Sequence, residues 1–471
     1  MCKDMARMAR EESQSLQSRV SQSRILSHTQ VSYAMVLDFP VCKCVKAPIA
    51  ASTRCAISTA LQNPEGLPVM GSIVGEPKRF VVAFCGSGTG HLTQAMKAVE
   101  MLKARGLTLA GVVTDTDASP RMLDEMVKPL GVELLIIPAI ELVDSQKGFV
   151  PLIDPARFVK SLMGAQRALY ENRHEYAAFF RRARAGKIFN MYHLTLARFF
   201  QHNPLPPSMT IIHMAAQFGL CDLTEEDTKT FIEVGSKGVM DMMKTIFDAS
   251  GPAVPISPLG REGTLPPILH VPATLTPNIP KLILCYFLVA TNANDLDEIL
   301  VKHPMPDVEF HCFTSKPLET TKSNLQSHMK QRKLFQELFA RCTGVIVSAG
   351  NETVWEAVCR GVPVLTIPTD GHGEQMLNAS VHARNFPNLV RQANVLDIKD
   401  IRWLVNFDTV DPSASRESAH LRNLVTTFNE KGSPLLGGDT DPGNTADMLK
   451  RRVSDLLVSA KTLVTGDGGK Q

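Results

Sequence analysis

One pattern limits this chain more than any other. Twice, a short apolar run opens through a turn of small residues into a stretch of helical period and returns to a second apolar run. The first instance, Arg79 to Asp115, reads RFVVAFCGSGTGHLTQAMKAVEMLKARGLTLAGVVTD. Leu92, Ala95, Met96, Val99 and Leu102 recur at three- and four-residue steps, with Lys97, Glu100 and Lys103 on the other face. That spacing predicts an amphipathic helix closed by Gly106, with LTLAGVV as the strand beyond it. Strand, helix and strand in about 35 residues make a βαβ unit, so the strands pair in parallel. VELLIIPA, KIFNMY and MTIIHMAA extend the first array. A second array follows: KLILCYFLVA, DVEFHCFT, a helix RKLFQELFARC, a strand GVIVSAG, another helix, and a strand VPVLTIP. The expected fold is therefore α/β, with two Rossmann-like domains facing each other across a cleft.

At 471 residues the chain exceeds what one core sustains, which agrees with two domains. The Pro-rich run from Pro252 to Pro280 reads as the linker between them. The expected division is 1–78 as a disordered or targeting extension, 79–277 as the first Rossmann-like domain, and 278–430 as the second. A polar linker and a terminal amphipathic helix fill 431–471. Between Ser21 and Asn63 the sole acidic residue is Asp38, as in an organelle transit segment, while Glu11 and Glu12 argue against one. A cytoplasmic location is expected, with organelle targeting as the alternative.

A formal net charge of +3 argues against a nucleic-acid partner. Cys85, Cys285, Cys312 and Cys359 lie in apolar runs and read as reduced core thiols, and the lone Cys42-x-Cys44 has no second pair to build a zinc site. The longest apolar run, Leu282 to Ala290, is about half of the ~20 residues that cross a bilayer. Arg181, Arg182, Arg184 and Lys187 beside Tyr176, Phe179 and Phe180 suggest either peripheral membrane contact or a solvated helix face.

Parallel sheets bind ligands beyond the carboxyl ends of their strands, and SAGNETVWEAVCRG, Ser348 to Gly361, sits at such an end. The backbone turns at Ala349 and Gly350, and Asn351, Glu352 and Thr353 open a helix. Unpaired N–H groups there, aided by the helix dipole, suit phosphate. Ser348, Asn351 and Thr353 add side-chain donors, and Glu356 one turn on can accept two hydrogen bonds from a vicinal diol. Glu374 and Gln375, in the loop after VPVLTIP, suit sugar hydroxyls. At the first sheet, CGSGTGHLTQA places Gly88, Gly90 and His91 at the end of the opening strand. It lacks the G-x-G-x-x-G of a dinucleotide site and the Lys-Ser/Thr of a P-loop. His91 is the candidate base for an acceptor hydroxyl, because an imidazole titrates near neutrality.

The run from Ser348 to Ala379 resembles the nucleotide-sugar signature of GT-B glycosyltransferases, in particular plant UDP-glycosyltransferases. Gly350, Thr353, Glu356, Gly361-Val362-Pro363, Pro368, Glu374-Gln375 and Asn378 carry the likeness. Ser348 stands where the plant motif has histidine, and the loop before Glu374 is two residues longer; both features are closer to microbial GT-B proteins and bacterial lipid-linked transferases. CGSGTGH resembles the Gly-rich loop with a terminal G-H that follows the first strand of these enzymes, so the likeness spans about 79–405. It implies diphosphate contacts from Ser348 to Thr353, ribose at Glu356, donor sugar at Glu374 and Gln375, and His91 as base. Plant relatives orient that histidine with an aspartate after a later strand, where this chain offers Asn190. The expected function is metal-independent, inverting transfer of a sugar from a nucleotide-sugar, expected to be a UDP-sugar, to an acceptor hydroxyl, with no cofactor. The acceptor is a small molecule, lipid or glycan. The alternatives are a glycolipid synthase at a membrane surface, an epimerase or hydrolase on the same fold, and a non-catalytic nucleotide-sugar-binding protein.

Overall fold

The computed structural model describes residues 70–433, apart from 71–72, 88–89, 142, 145–147, 151–153, 216–235, 271–280, 370–371 and 408–414. The carboxyl-terminal amphipathic helix, residues 1–69 of the amino-terminal extension, Gly88 and the Cys42/Cys44 pair lie outside the described residues, while Met70 and Ile73 are buried with the first sheet and Glu76 to Lys78 open its first strand.

The first half contains β1 (Glu76–Phe84), α1 (Gly90–Ala104), β2 (Thr108–Asp115), α2 (Pro120–Met126) and β3 (Glu133–Ile137). A small antiparallel hairpin follows, β4 (Val143–Asp144) with β5 (Gly148–Phe149). Then come α3 (Pro155–Glu171), α4 (Arg173–Ala183), β6 (Ala185–Met191), α5 (Leu194–His202), β7 (Thr210–Ala215), α6 (Ser236–Ser250) and β8 (Ala253–Pro255). The second half runs β9 (Lys281–Tyr286), α7 (Thr291–Lys302), β10 (Val308–Thr314), β11 (Leu325–Met329), α8 (Arg332–Arg341), β12 (Gly344–Val347) and α9 (Asn351–Cys359). It ends with β13 (Val364–Thr366), α10 (Gly373–Asn385), β14 (Val390–Gln392), α11 (Ile398–Asn406) and α12 (Arg416–Lys431).

Each half forms one six-stranded sheet, ordered β3-β2-β1-β6-β7-β8 and β11-β10-β9-β12-β13-β14, and every pairing within both is parallel. Counted within its own sheet, each order is 3-2-1-4-5-6, the doubly wound Rossmann arrangement. The chain therefore has the two Rossmann-like domains expected. In each sheet the topology reverses between the first and fourth strands, and a crevice opens there at the strand carboxyl ends. β1 and β6 flank one crevice, β9 and β12 the other.

Burial explains the strands. Phe80 to Phe84 and Leu282 to Cys285 are wholly buried, which is why central strands covered by helices on both faces read as unbroken apolar runs. On α1 the residues at helical spacing are the buried ones, while Lys97 and Glu100 pair across the exposed face at 3.2 Å. One apolar cluster runs through both halves, joining Phe84, Leu92 and Met96 to Leu284, Val347 and Trp355.

One sequence expectation is revised, and one pair of alternatives narrows. The Pro-rich run does not begin as linker: Ala253–Pro255 pairs with β7 as the edge strand β8, and His213 N–H donates to Pro252 O at 2.9 Å. A sheet edge tolerates proline because no outer neighbour requires its missing N–H. The aromatic residues of α4 do not face outward either. Tyr176, Phe179 and Phe180 are buried against β1 and β6, while Arg182 pairs with Glu133 and Arg184 with Glu76. The basic face is a solvated, ion-paired surface. Among the described residues no helix is long and apolar enough to cross a membrane. The five cysteines in that region, Cys85, Cys285, Cys312, Cys342 and Cys359, are unpaired thiols, and all but Cys85 are buried.

The last helix, α12, belongs to neither sheet alone. Arg422 Nη1 donates to Cys359 O on α9 at 3.5 Å, and Asn429 Nδ2 to Leu269 O at 3.1 Å. The Arg105 guanidinium, at the end of α1, donates to Phe428 O and Asn429 O at 3.3 Å each. Phe428 O also accepts from Gly432 N at 2.8 Å, and both carbonyls lie in the last turn, so a cation from the first half caps a helix that also packs on the second.

Candidate active site

The two switch points meet in a single cleft. From the first half it is lined by Cys85, Ser87, Gly90, His91 and Thr93 of the β1–α1 segment, with Met122, Tyr192 and Met243 beside them. From the second it is lined by the Ser348–Thr353 turn with Glu356, by Tyr286 and Leu288 at the end of β9, and by His372, Glu374, Gln375 and Asn378 around the start of α10. His91, Gly90, Ser348, Gly350, Asn351, Glu352, Thr353, Glu356, Glu374 and Gln375 thus share one cavity.

Local conformation explains the turn after β12. Ala349 adopts a left-handed φ of 53°, and Gly350, the N-cap of α9, is extended at φ −72°. Of the two residues on which the sequence placed the turn, the alanine takes the left-handed conformation. Gly350 serves by what it lacks, since a Cβ there would point into open space in the cleft and keep a ligand from the backbone. Tyr192, at the matching point after β6, is left-handed as well, at φ 60°. Strained residues therefore stand at both switch points, where such cost tends to be retained for function. The N-cap of α9 has no side chain, so the first-turn N–H groups receive no capping bond from it.

Several polar side chains hold the frame. Ser348 Oγ accepts from Leu288 N at 3.0 Å, tying the turn after β12 to the one after β9. Gln375 Oε1 accepts from Thr369 N at 2.8 Å, and Asn378 Nδ2 donates to Ala349 O at 3.3 Å. Asn190 does not reach His91. Its side chain accepts from His193 N at 2.7 Å, donates to His193 O at 3.1 Å, and lies 2.9 Å from His213 Nδ1. Wholly buried one strand away, it holds the β6–α5 turn. His213 also lies outside the cleft, buried with its Nε2 on Ser250 Oγ at 2.9 Å. Tyr192 does line the cleft, stacked between His91 at 5.5 Å and Phe247 at 5.4 Å.

Loss of water pushes the His91 imidazole down to about 4, the neighbouring His193 adds to that, and the Asp115 carboxylate pulls it back up. Asp115, at the end of β2, carried no motif in the sequence. It lies between the loops: Oδ2 accepts from Gly86 N at 3.1 Å and Oδ1 from Asp117 N at 3.0 Å. A Cβ at Gly86 would strike both this carboxylate and the Ala118 backbone, so only glycine lets the loop leading to His91 approach so closely. Gly86→Ala is expected to destabilise the protein by about 1–3 kcal/mol, since backbone blocks the new methyl; urea unfolding measures it.

Lys330 and Arg332 are further cleft residues that the sequence reading passed over. They flank the start of α8, and Lys330 Nζ sits 5.0 Å over the Tyr286 ring. The run MKQRK was the available signal. Opposite these cations stand three carboxylic acids. Burial pushes both Glu352 and Glu356 up to about 7; Glu374 adds to the shift on Glu352, and Glu352 to that on Glu356, while Arg332 and Arg360 pull Glu356 back down. Among the described residues no three metal-binding side chains converge.

No protein-family model matches the chain, and no curated protein matches it. Solved structures do. Similar ones include the glycotransferase of kitacinnamycin, at 13% identity and TM-score 0.49, covering 80% of this chain and 99% of that one. Arabidopsis thaliana UGT89C1 bound to quercetin matches at 15% identity and TM-score 0.49, covering 80% and 98%. The glycosyltransferase SnogD from Streptomyces nogalater matches at 15% identity and TM-score 0.43, covering 77% and 100%. At these values the likeness concerns the course of the backbone and extends to no substrate.

Proposed function

We propose that this protein is a glycosyltransferase that moves a sugar from a UDP-sugar to an acceptor hydroxyl with inversion and without a metal ion. One observation carries the reading: a neutral histidine on one Rossmann-like half and an uncapped helix amino end on the other face the same cleft. The first-turn N–H groups of α9, with Lys330 and Arg332, take the diphosphate and its growing charge, the work a cation does elsewhere. Glu356 holds the ribose diol, and Glu374 and Gln375 hold the donor sugar. The acceptor oxygen attacks the anomeric carbon as the bond to the diphosphate oxygen breaks. His91 takes the hydroxyl proton, and the electron pair leaves with UDP. Attack from the face opposite the leaving group inverts the centre. Asp115, in place of Asn190, supplies the carboxylate whose field supports the imidazolium as it forms. The buried aromatics of α4 give the membrane-surface alternative no support.

Thermal unfolding with UDP, UDP-glucose, UDP-galactose, UDP-N-acetylglucosamine and GDP tests the reading. A bound ligand at a hundred times its Kd stabilises the fold by about 2.7 kcal/mol. A uridine ligand is expected to raise Tm in the wild type and not in Glu356→Ala. No shift with any uridine compound would remove the donor assignment.

A further inference from the structure

Three carboxylic acids line a cleft read as a diphosphate site, and one of them reaches across it. Glu352 is the second residue of α9, so its own backbone N–H is among the groups offered to the phosphates. Its side chain does not turn to solvent. It crosses to the other half, where Oε1 accepts from Gln94 Nε2 on α1 at 2.5 Å. The carboxyl also packs so closely on Gly90, the first residue of α1, that a Cβ there would collide with it. The carboxylate draws on its own backbone N–H as well. An acid group is thus held between the amino ends of two helices, where an anion would be held.

We propose that the Glu352 carboxyl is a built-in occupant of the donor's diphosphate position, and that it must take up a proton when the diphosphate binds. The inference rests on the donor reading above. The groups around Glu352 make neutralisation the accessible route. From α1 it meets Gln94 and, beyond it, the neutral imidazole of His91; from the start of α10, Glu374 and the His372 ring, which burial holds near 4. On its own helix stands Glu356, and the pull of Arg332 and Arg360 falls on that residue. Loss of water and Glu374 push Glu352 up to about 7, against the pull of its own N–H, so near neutrality the free carboxyl is already half protonated. An incoming diphosphate favours the protonated form further, which then donates where the carboxylate would repel.

The magnitude follows from the free protein's titration. With a pKa of about 7, its protonated share falls roughly tenfold from pH 6 to pH 8, and the affinity for a diphosphate falls with it. Calorimetric titration of the whole protein with UDP-glucose, whose diphosphate does not titrate in this range, tests the idea at pH 6 and 8 in buffers of different ionisation enthalpy. Wild type is expected to bind about tenfold more weakly at pH 8 and to take up close to one proton there. Glu352→Gln, the same shape without a charge, is expected to show a smaller pH dependence and a smaller proton uptake, with Glu356 the acid that remains near 7, and to bind more tightly than wild type at pH 8. Equal pH dependence and proton uptake in the two proteins would overturn the proposal while leaving the donor assignment standing. Binding by neither protein at either pH would overturn both.

A ligand-free measurement shows whether Glu352→Gln has merely disturbed the fold. An acid whose folded pKa is raised contributes stability that is present below its unfolded value of about 4.3 and is lost as pH rises through about 7. The variant is expected to melt with wild type at pH 4 and above it at pH 8. A lower melting temperature at both would mark a packing role and overturn the proposal.

Discussion

Replacing His91 with alanine is expected to lower turnover by about two to four orders of magnitude and to leave UDP-sugar affinity within about twofold. The two outcomes separate because the histidine and the donor site belong to different halves of the chain. His91 stands in the first turn of α1, whereas the proposed diphosphate, ribose and sugar contacts come from α8, α9 and α10. Burial holds the imidazole down to about 4, so it is neutral and able to accept a proton across the physiological range. The acidic limb of a turnover profile due to His91 therefore falls near pH 4, well below the usual 6.5. Turnover by saturated enzyme from pH 5 to 8 should not follow this group. Asp115→Asn removes the charge that raises the imidazole, and should shift that limb lower and slow the reaction. Single-turnover rates with donor affinity measured alongside check these outcomes. Loss of affinity in His91→Ala equal to the loss of rate would mean that His91 binds substrate and does not move a proton. A non-catalytic nucleotide-sugar binder would show no turnover before or after the change.

The second large effect concerns stability. Arg360, just after α9, is wholly buried. Its guanidinium donates to Phe339 O and, at 2.7 Å, to Ala340 O, and it lies 4.8 Å over the Phe339 ring. Those carbonyls end α8, so one planar cation caps the helix whose opposite end presents Arg332 to the cleft. Arg360→Ala would remove both guanidinium donors, leave the buried Phe339 O with only the weak Cys342 thiol at 3.3 Å, and open a void over the ring, at a cost of about 3–5 kcal/mol. Arg360→Lys should recover little, because an ammonium is a point charge and cannot match two carbonyls in one plane. Urea unfolding of the three proteins measures both changes. A lysine variant as stable as wild type would assign the role to charge alone.

The sequence revealed most where burial leaves a strong imprint. β1, β9 and β12 are covered on both faces and appear as apolar runs, and α1 shows its inward stripe at 3.6-residue spacing. β11, with its sequence LQSHM, is an edge strand exposed along one side and leaves no such mark. β8 and β14 have three residues each and are held by neighbours distant in the chain. At the cleft, the residues from Ser348 to Glu356 were legible because they are consecutive and share one turn. Asp115 acts on His91 through space from another strand, and Lys330 and Arg332 enter by the position of α8. No local spacing encodes either relation. The division of roles between Ala349 and Gly350 shows a different limit, because composition marks a tight turn without saying which residue adopts the left-handed backbone.

The capped helix α12 bears on how the halves can move. The polypeptide crosses from the first half to the second between His270 and Lys281, and α12 bridges back, pinned by Arg105 on one side and by Cys359 on the other. Arg105 ends the helix that begins beside His91, and Cys359 ends the helix that begins at the facing turn, so α12 clasps the far ends of the two helices whose near ends line the cleft. Drawing the halves apart would have to break the Arg105 bonds or lift α12 from α9.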